Sequence, residues 1–193
     1  MINPENVQKF KSYGFVLTPV IKSKNPNEDK KPVSKNGTWQ KDWNDQELLD
    51  ASRIGAYHRD SKIFDVDFDD KEYNAHKFMD LLPPTFTIGK KVNGRPVATH
   101  LIYRTKEKVK DYKKAQPLVE LLANTQTIIA GVDRIIINDQ EPIYYSAEDI
   151  RAECKLIATF SELYKHSKNI TNRNDFYFRL GGALARHTDV PMH

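Results

Sequence analysis

Cysteine is nearly absent from this chain: Cys154 is the single one among 193 residues. One cysteine cannot form a disulfide within the chain, and it argues against a structural zinc site built from several cysteines. The six histidines are scattered, and no pair has the spacing of a zinc-binding helix. We therefore expect neither disulfides nor zinc.

Long apolar runs are also missing. No stretch approaches the roughly 20 residues that a membrane-spanning helix needs. Asn3, Glu5 and Lys9 interrupt the start of the chain, where a secretory signal would require an apolar segment. With 39% hydrophobic and 29% charged residues, the composition is that of a soluble globular chain, so we expect a cytoplasmic protein with no membrane partner.

The positive charge is modest but clustered. A net charge of +4 permits a polyanionic partner without requiring one. One lysine cluster holds Lys106, Lys108 and Lys110, and a second, in a loop without a strand pattern, includes Lys31. Both are candidate contacts to nucleic-acid phosphates, although a solvated, solubilising surface explains them equally well.

Two aspartates alternate with apolar residues in Ile63-Phe64-Asp65-Val66-Asp67-Phe68, which is typical of a strand with one polar face. Asp65 and Asp67 then point the same way, about 7 Å apart. Carboxylates aimed at one point repel unless a cation lies between them, and their oxygens favour Mg²⁺ or Mn²⁺ over zinc. A lone Asp-x-Asp is also found on solvated strand edges, in glycosyltransferases and in phosphatases.

Two further strand-like segments offer matching groups. Glu120 lies in the apolar run Leu118-Val119-Glu120-Leu121-Leu122. A buried carboxylate there is costly unless it is paired, so Glu120 is either a rim residue facing water or a third metal ligand. Thr99 and His100 precede Leu101-Ile102-Tyr103 and are candidate contacts to a nucleotide phosphate. Lys91 and Arg95 supply nearby positive charge.

The order of these segments resembles the primase–polymerase group of the archaeo-eukaryotic primase superfamily. That group's first motif is an apolar strand ending in Asp-x-Asp, matched by Asp65 and Asp67. Its second is a small hydroxyl residue followed by histidine, matched by Thr99 and His100. Its third is an acidic residue in an apolar strand, matched by Glu120. The resemblance spans roughly residues 10 to 146.

The resemblance implies DNA primase and DNA polymerase activity, that is, template-directed transfer of nucleotides from NTPs or dNTPs, within a replication protein of plasmid or phage type. Asp65, Asp67 and Glu120 would bind two Mg²⁺ or Mn²⁺ ions, and His100 with Thr99 would hold the triphosphate. The implied partners are a single-stranded DNA template, a primer, and a helicase domain or other replication protein. The host compartment would be a prokaryotic cytoplasm.

Three other functions stay open. A repair-type gap-filling polymerase of the same superfamily would use an identical site. A replication-initiator module with an RRM-like fold would bind DNA without catalysis, although clustered carboxylates repel phosphate. A metal-dependent nuclease would explain the acids but not the order of the motifs.

The mixture of antiparallel hairpins and intervening helices predicts an α+β fold, with a helical C-terminal unit at 147–193. The resemblance implies that residues 1–146 form an RRM-like antiparallel-sheet catalytic core. Asn93-Gly94 predicts a hairpin between strands at 86–92 and 97–105. We also expect adjacent strands at 53–57 and 62–68, and a terminal hairpin joining 135–137 to 143–145. Helices are expected at 3–13, 45–52, 71–82, 147–165 and 172–187.

Overall fold

The computed structural model describes residues 2–21, 24, 31–33, 43–68, 75–107, 111, 119–167, 174 and 177. It is a mixed α+β structure with antiparallel sheets, which confirms the predicted class. The strands are β1 (Leu17–Val20), β2 (Arg53–Tyr57), β3 (Ile63–Asp67), β4 (Phe86–Val92), β5 (Arg95–Arg104), β6 (Glu120–Leu122), β7 (Gln126–Gly131) and β8 (Ile135–Asn138). The helices are α1 (Pro4–Ser12), α2 (Asp45–Leu49), α3 (His58–Ser61) and α4 (Ala147–Ser167), with a 3₁₀ helix at Ala75–Leu81.

The strands form two sheets. The small sheet has the order β1-β2-β7 and the large sheet the order β6-β3-β5-β4-β8, and every ladder is antiparallel. The predicted β4–β5 hairpin is confirmed. Its turn is made by Asn93 and Gly94 at φ values of 51° and 78°, the left-handed conformation that these two residue types tolerate best.

Two strand assignments made from the sequence are wrong. Strands β2 and β3 follow one another in the chain but lie in different sheets, because α3 intervenes and ends at Lys62 in a left-handed conformation. The terminal hairpin is not formed either. Strand β8 pairs with β4, and Tyr144 makes an isolated parallel bridge to Arg104.

The helix starts follow local sequence signals. Asn3 accepts a hydrogen bond from the Asn6 amide at 2.7 Å and caps α1, and Asn44 forms a capping box with Glu47 at the start of α2. Of the helix predicted at 71–82, the described part is the 3₁₀ helix Ala75–Leu81. Of the helix predicted at 172–187, only Asn174 and Tyr177 lie within the described residues, so it stays a prediction.

The large sheet buries both of its faces. One face packs against the small sheet and α1, in a core that includes Phe10, Ile54, Ile88, Ile102 and Ile129. The opposite face packs against α4 and the 3₁₀ helix, in a core that includes Phe64, Val66, Tyr103, Leu121, Ile150, Cys154 and Ile157.

Helix α4 therefore covers part of one face of the large sheet together with the 3₁₀ helix, and its Ile150, Cys154 and Ile157 are completely buried. The proposed division of the chain after residue 146 stays a prediction. None of the helices in the described part of the chain is both long and apolar enough to cross a membrane.

Candidate functional site

Three of the predicted site residues form one row across the large sheet. Asp67 on β3 lies directly opposite His100 on β5 and, on its other side, directly opposite Glu120 on β6. Side chains at opposed positions of neighbouring strands project from the same face. The sheet register thus brings together groups that are 33 and 53 residues away from Asp67 along the chain.

Asp65 lies on the same face, one step deeper. It precedes Asp67 by two residues, and it is fully buried whereas the Asp67 side chain is 23% exposed. This face is the one packed against the small sheet, and the hydroxyl of Thr127 on β7 donates a hydrogen bond to Oδ2 of Asp65. Asp65 is therefore enclosed between the two sheets, whereas Asp67 lies nearer the surface; we call the region of Asp65, Asp67, His100 and Glu120 the carboxylate cleft.

His100 lies between the two aspartates. Its Nδ1 is 2.9 Å from Oδ2 of Asp65 and 3.4 Å from Oδ1 of Asp67. Burial opposes a charge on this ring, but the facing carboxylates of Asp65 and Asp67 outweigh it and raise the pKa of His100. When His100 is protonated, its charge offsets part of the negative charge of Asp65 and Asp67.

Among the residues that the structure describes, the buried carboxylate of Asp65 leaves one oxygen unsatisfied, which is a feature that a hard cation could satisfy. Oδ2 of Asp65 accepts hydrogen bonds from Thr127 and His100, whereas Oδ1 is buried and has no partner among the described residues. An ionised oxygen in that position is costly unless a cation or a donor reaches it. In the described ranges no three histidine, cysteine, aspartate or glutamate side chains converge closely enough to hold an ion, and His100 bridges Asp65 and Asp67 instead.

A large cavity is formed by the turn between β7 and β8, the end of β4 and the segment that joins α2 to β2. We call it the basic cavity, because three of the described side chains that line it are cationic and one, Asp133, is acidic. Its volume is about 870 Å³, and its lining includes Lys90, Lys91 and Arg134. Arg134 also acts on the carboxylate cleft, because its charge opposes protonation of His100. Cavities of this size accommodate nucleotide-sized ligands.

The turn that carries Arg134 is held by a partly buried ion pair. Nη2 of Arg53 donates to Oδ2 of Asp133 at 2.5 Å, and Arg53 is only 5% exposed. Burial opposes the charge of Asp133, but the hydrogen bond and charge of Arg53 lower its pKa below the ordinary value. The pair links the start of β2 to the β7–β8 turn and so fixes the wall of the cavity.

The other predicted contacts fall in different places. Lys91 lines the cavity, and Arg95 is exposed beside the hairpin turn. Thr99 is buried, and its hydroxyl has no hydrogen-bond partner in the described part of the chain. Lys31 and Lys106 are exposed, at the edge of β1 and after β5 respectively. Lys108 and Lys110 lie outside the described residues.

Three residues of this region were missed by reasoning from the sequence. Thr127 and His58 stand behind Asp65, with Nε2 of His58 2.7 Å from the Thr127 hydroxyl oxygen, and Arg134 lines the basic cavity. Arg134 follows the third motif by 14 residues, and its positive charge is the one feature in the sequence that points to phosphate binding. His58 and Thr127 carry no such signal, because only the packing of the sheets brings them to Asp65.

Comparison with known proteins adds no assignment: no family model matches the chain, and no curated protein matches it.

Proposed function

We propose that the protein is a template-directed nucleotidyltransferase, a DNA primase–polymerase whose two sheets form a primase-type catalytic core. The observation that carries the proposal is the row Glu120–Asp67–His100, with Asp65 beside it. Residues from three separate sequence motifs stand side by side in one cleft, which is what two-metal phosphoryl transfer requires of its ligands.

Asp65, Asp67 and Glu120 would hold Mg²⁺ or Mn²⁺. A bound divalent ion supplies Lewis acidity, which lowers the pKa of an attacking hydroxyl and neutralises charge on the triphosphate. The protein's own part is to aim carboxylate oxygens from two adjacent strands into a cleft whose inner end is dry. Positioning of this kind supplies most of the rate in phosphoryl transfer.

The triphosphate would lie between His100 and the basic cavity. Lys91 and Arg134 line that cavity, and the charge of Arg134 also acts on His100, which supports placing the phosphates between the two. Charge-assisted hydrogen bonds from arginine and lysine are the strong contacts in phosphate recognition. Template and primer would approach the open, Asp67 end of the cleft.

The proposal is tested by synthesis on single-stranded DNA, with and without an annealed primer, in the presence of Mn²⁺ or Mg²⁺ and labelled NTPs or dNTPs. We expect Asp67→Asn to reduce product formation by at least about 100-fold, because the loss of one charge in a preorganised site costs on that order. The matched control is Asp139→Asn, which removes an exposed aspartate paired with Lys9 at 2.5 Å and should leave synthesis unchanged.

The outcomes separate the competing functions. Products with and without a primer, lost in Asp67→Asn, identify a primase–polymerase, whereas primer extension alone identifies a gap-filling polymerase. Degradation of the DNA in place of synthesis indicates a nuclease. DNA binding that is unaffected by metal or by Asp67→Asn, with no synthesis, refutes the catalytic proposal in favour of a binding module.

A further inference from the structure

A buried chain of polar groups runs from His58 to the site. Nε2 of His58 is 2.7 Å from Oγ1 of Thr127, and that hydroxyl reaches Oδ2 of Asp65, which also contacts Nδ1 of His100 at 2.9 Å. His58, Thr127 and Asp65 are each 2% exposed or less. These hydrogen-bonded side chains link the small sheet to the large one, since Thr127 belongs to β7 and Asp65 to β3.

The direction of each hydrogen bond follows from the donors available. A carboxylate can only accept, so the single hydroxyl proton of Thr127 points to Asp65. The contact between Thr127 and His58 must then be donated by the ring, which places the proton of His58 on Nε2. Its Nδ1 carries the lone pair and, in keeping with that, has no partner among the described residues.

These hydrogen bonds make the two carboxylate oxygens of Asp65 different from each other. Oδ2 accepts from Thr127 on one side and from His100 on the other, so rotation of the carboxylate would break two buried hydrogen bonds. Oδ1 is left as the oxygen without a partner in the described part of the chain. Losing a buried hydrogen bond leaves a desolvated group unsatisfied, which makes the alternative orientations unfavourable.

We propose that His58 and Thr127 are positioning residues, which lock Asp65 in the one orientation that presents Oδ1 to a divalent cation. This inference rests on the proposed function and adds to it a part of the site that lies outside the three motifs. Partners of this kind, which hold a ligand's second polar atom, typically change metal affinity by about 10- to 100-fold when they are removed.

The variants follow from the geometry. Thr127→Val removes the hydroxyl and keeps the shape of the side chain, whereas Thr127→Ser keeps the hydroxyl. The matched control is Thr87→Val on β4, another buried threonine, whose hydroxyl donates to the Thr85 carbonyl at 2.9 Å and takes no part in the chain to Asp65. Thr87→Val reports what the loss of a buried threonine hydrogen bond does by itself.

Binding of Mn²⁺ alone is measured by calorimetric titration of each protein, and primer extension is measured at varied Mn²⁺ concentration. We expect Thr127→Val to weaken Mn²⁺ binding by about 10-fold or more, and to be rescued by a higher Mn²⁺ concentration in the extension assay. Thr127→Ser and Thr87→Val should stay close to the wild type. Equal Mn²⁺ affinity in Thr127→Val and wild type overturns the inference.

A second measurement does not depend on any variant folding. The ¹⁵N shifts of the His58 ring in the wild-type protein report which nitrogen carries the proton, and we expect Nε2. A proton on Nδ1 contradicts the chain of donors and overturns the inference even if the enzyme is active. A wild-type protein that neither binds Mn²⁺ nor makes product refutes the proposed function and this inference together, whereas normal synthesis with an unaffected Thr127→Val refutes this inference alone.

Discussion

His58 is a buried histidine that the fold keeps neutral. Burial lowers its pKa from 6.5 to about 4, although the carboxylates of Asp65 and Asp111 act in the opposite direction. The unfolded chain therefore binds a proton on this residue below pH 6.5, whereas the folded protein does so only near pH 4. Its contribution to stability is complete above pH 6.5 and is lost as the pH falls toward 4.

We expect His58 to lower the free energy of unfolding by about 2 kcal/mol when the pH falls from 7.5 to 5. The measurement is urea unfolding at both pH values for the wild type and for His58→Gln. The difference between the two proteins isolates His58, because His100, whose pKa is raised, contributes with the opposite sign in both. Identical pH dependence in the two proteins would show that His58 is not held neutral.

Among individual residues, the sequence predicts those that share a strand face and misses those that meet through packing. Asp65 and Asp67 are two apart on one strand, so the alternation of side chains alone puts them together. His58 and Thr127 reach Asp65 only because the small sheet packs against the large one. The periodic pattern of apolar and polar residues gives no sign of this contact between the sheets.

The β4–β5 hairpin contains two glycines that disfavour substitution for different reasons. A side chain at Gly89 would place its Cβ 2.0 Å from the Val97 carbonyl oxygen, at the point where the register of the two strands shifts. At Gly94 nothing lies within 4 Å of such a Cβ, but φ is +78°. The first position is constrained by space and the second by backbone conformation alone.

We therefore expect Gly89→Ala to lower the free energy of unfolding by about 2–3 kcal/mol, because backbone atoms must move. Gly94→Ala should lower it by about 1 kcal/mol, the cost of a left-handed alanine. Urea denaturation of both variants gives the comparison. A larger loss for Gly94→Ala would mean that the close approach at Gly89 is relieved at little cost.

The same hairpin explains which elements could be predicted. Asn93-Gly94 is a local signal for a turn, so the pairing of β4 with β5 follows from the sequence. The pairing of residues 135–145, in contrast, is decided by residues far away in the sequence. The side-chain amides of Asn138 and Gln140 donate to the carbonyls of Thr85 and Pro84, just before β4, so the segment is tied to that strand and does not fold back as a hairpin.

For the molecule as a whole, the reactivity of the Cys154 thiol reports whether α4 is packed on the large sheet. The Cys154 thiol is fully buried in the core between them, and burial raises its pKa from 9.0 to about 12. At pH 8 the thiolate fraction is then about a thousand-fold lower in the folded protein than in the unfolded chain. Only the thiolate reacts appreciably with alkylating or disulfide reagents.

We expect Cys154 in the native protein to react with a disulfide reagent at least about a thousand-fold more slowly than in denaturing urea. The rate as a function of urea shows whether α4 leaves the sheet before the sheets unfold. A reaction that runs ahead of the loss of sheet structure would indicate separate opening of α4. Fast labelling without urea would contradict the packing of α4 described above.

Because the only cysteine of the chain is buried, the protein can be labelled with a fluorophore at a single introduced cysteine. Val132, in the turn between β7 and β8, is 78% exposed and lines the basic cavity. A cysteine introduced there would be the sole accessible thiol of the chain, without replacement of Cys154. A fluorophore attached to it would stand at the cavity, where its emission would report in real time whether a nucleotide enters, as the proposed function requires.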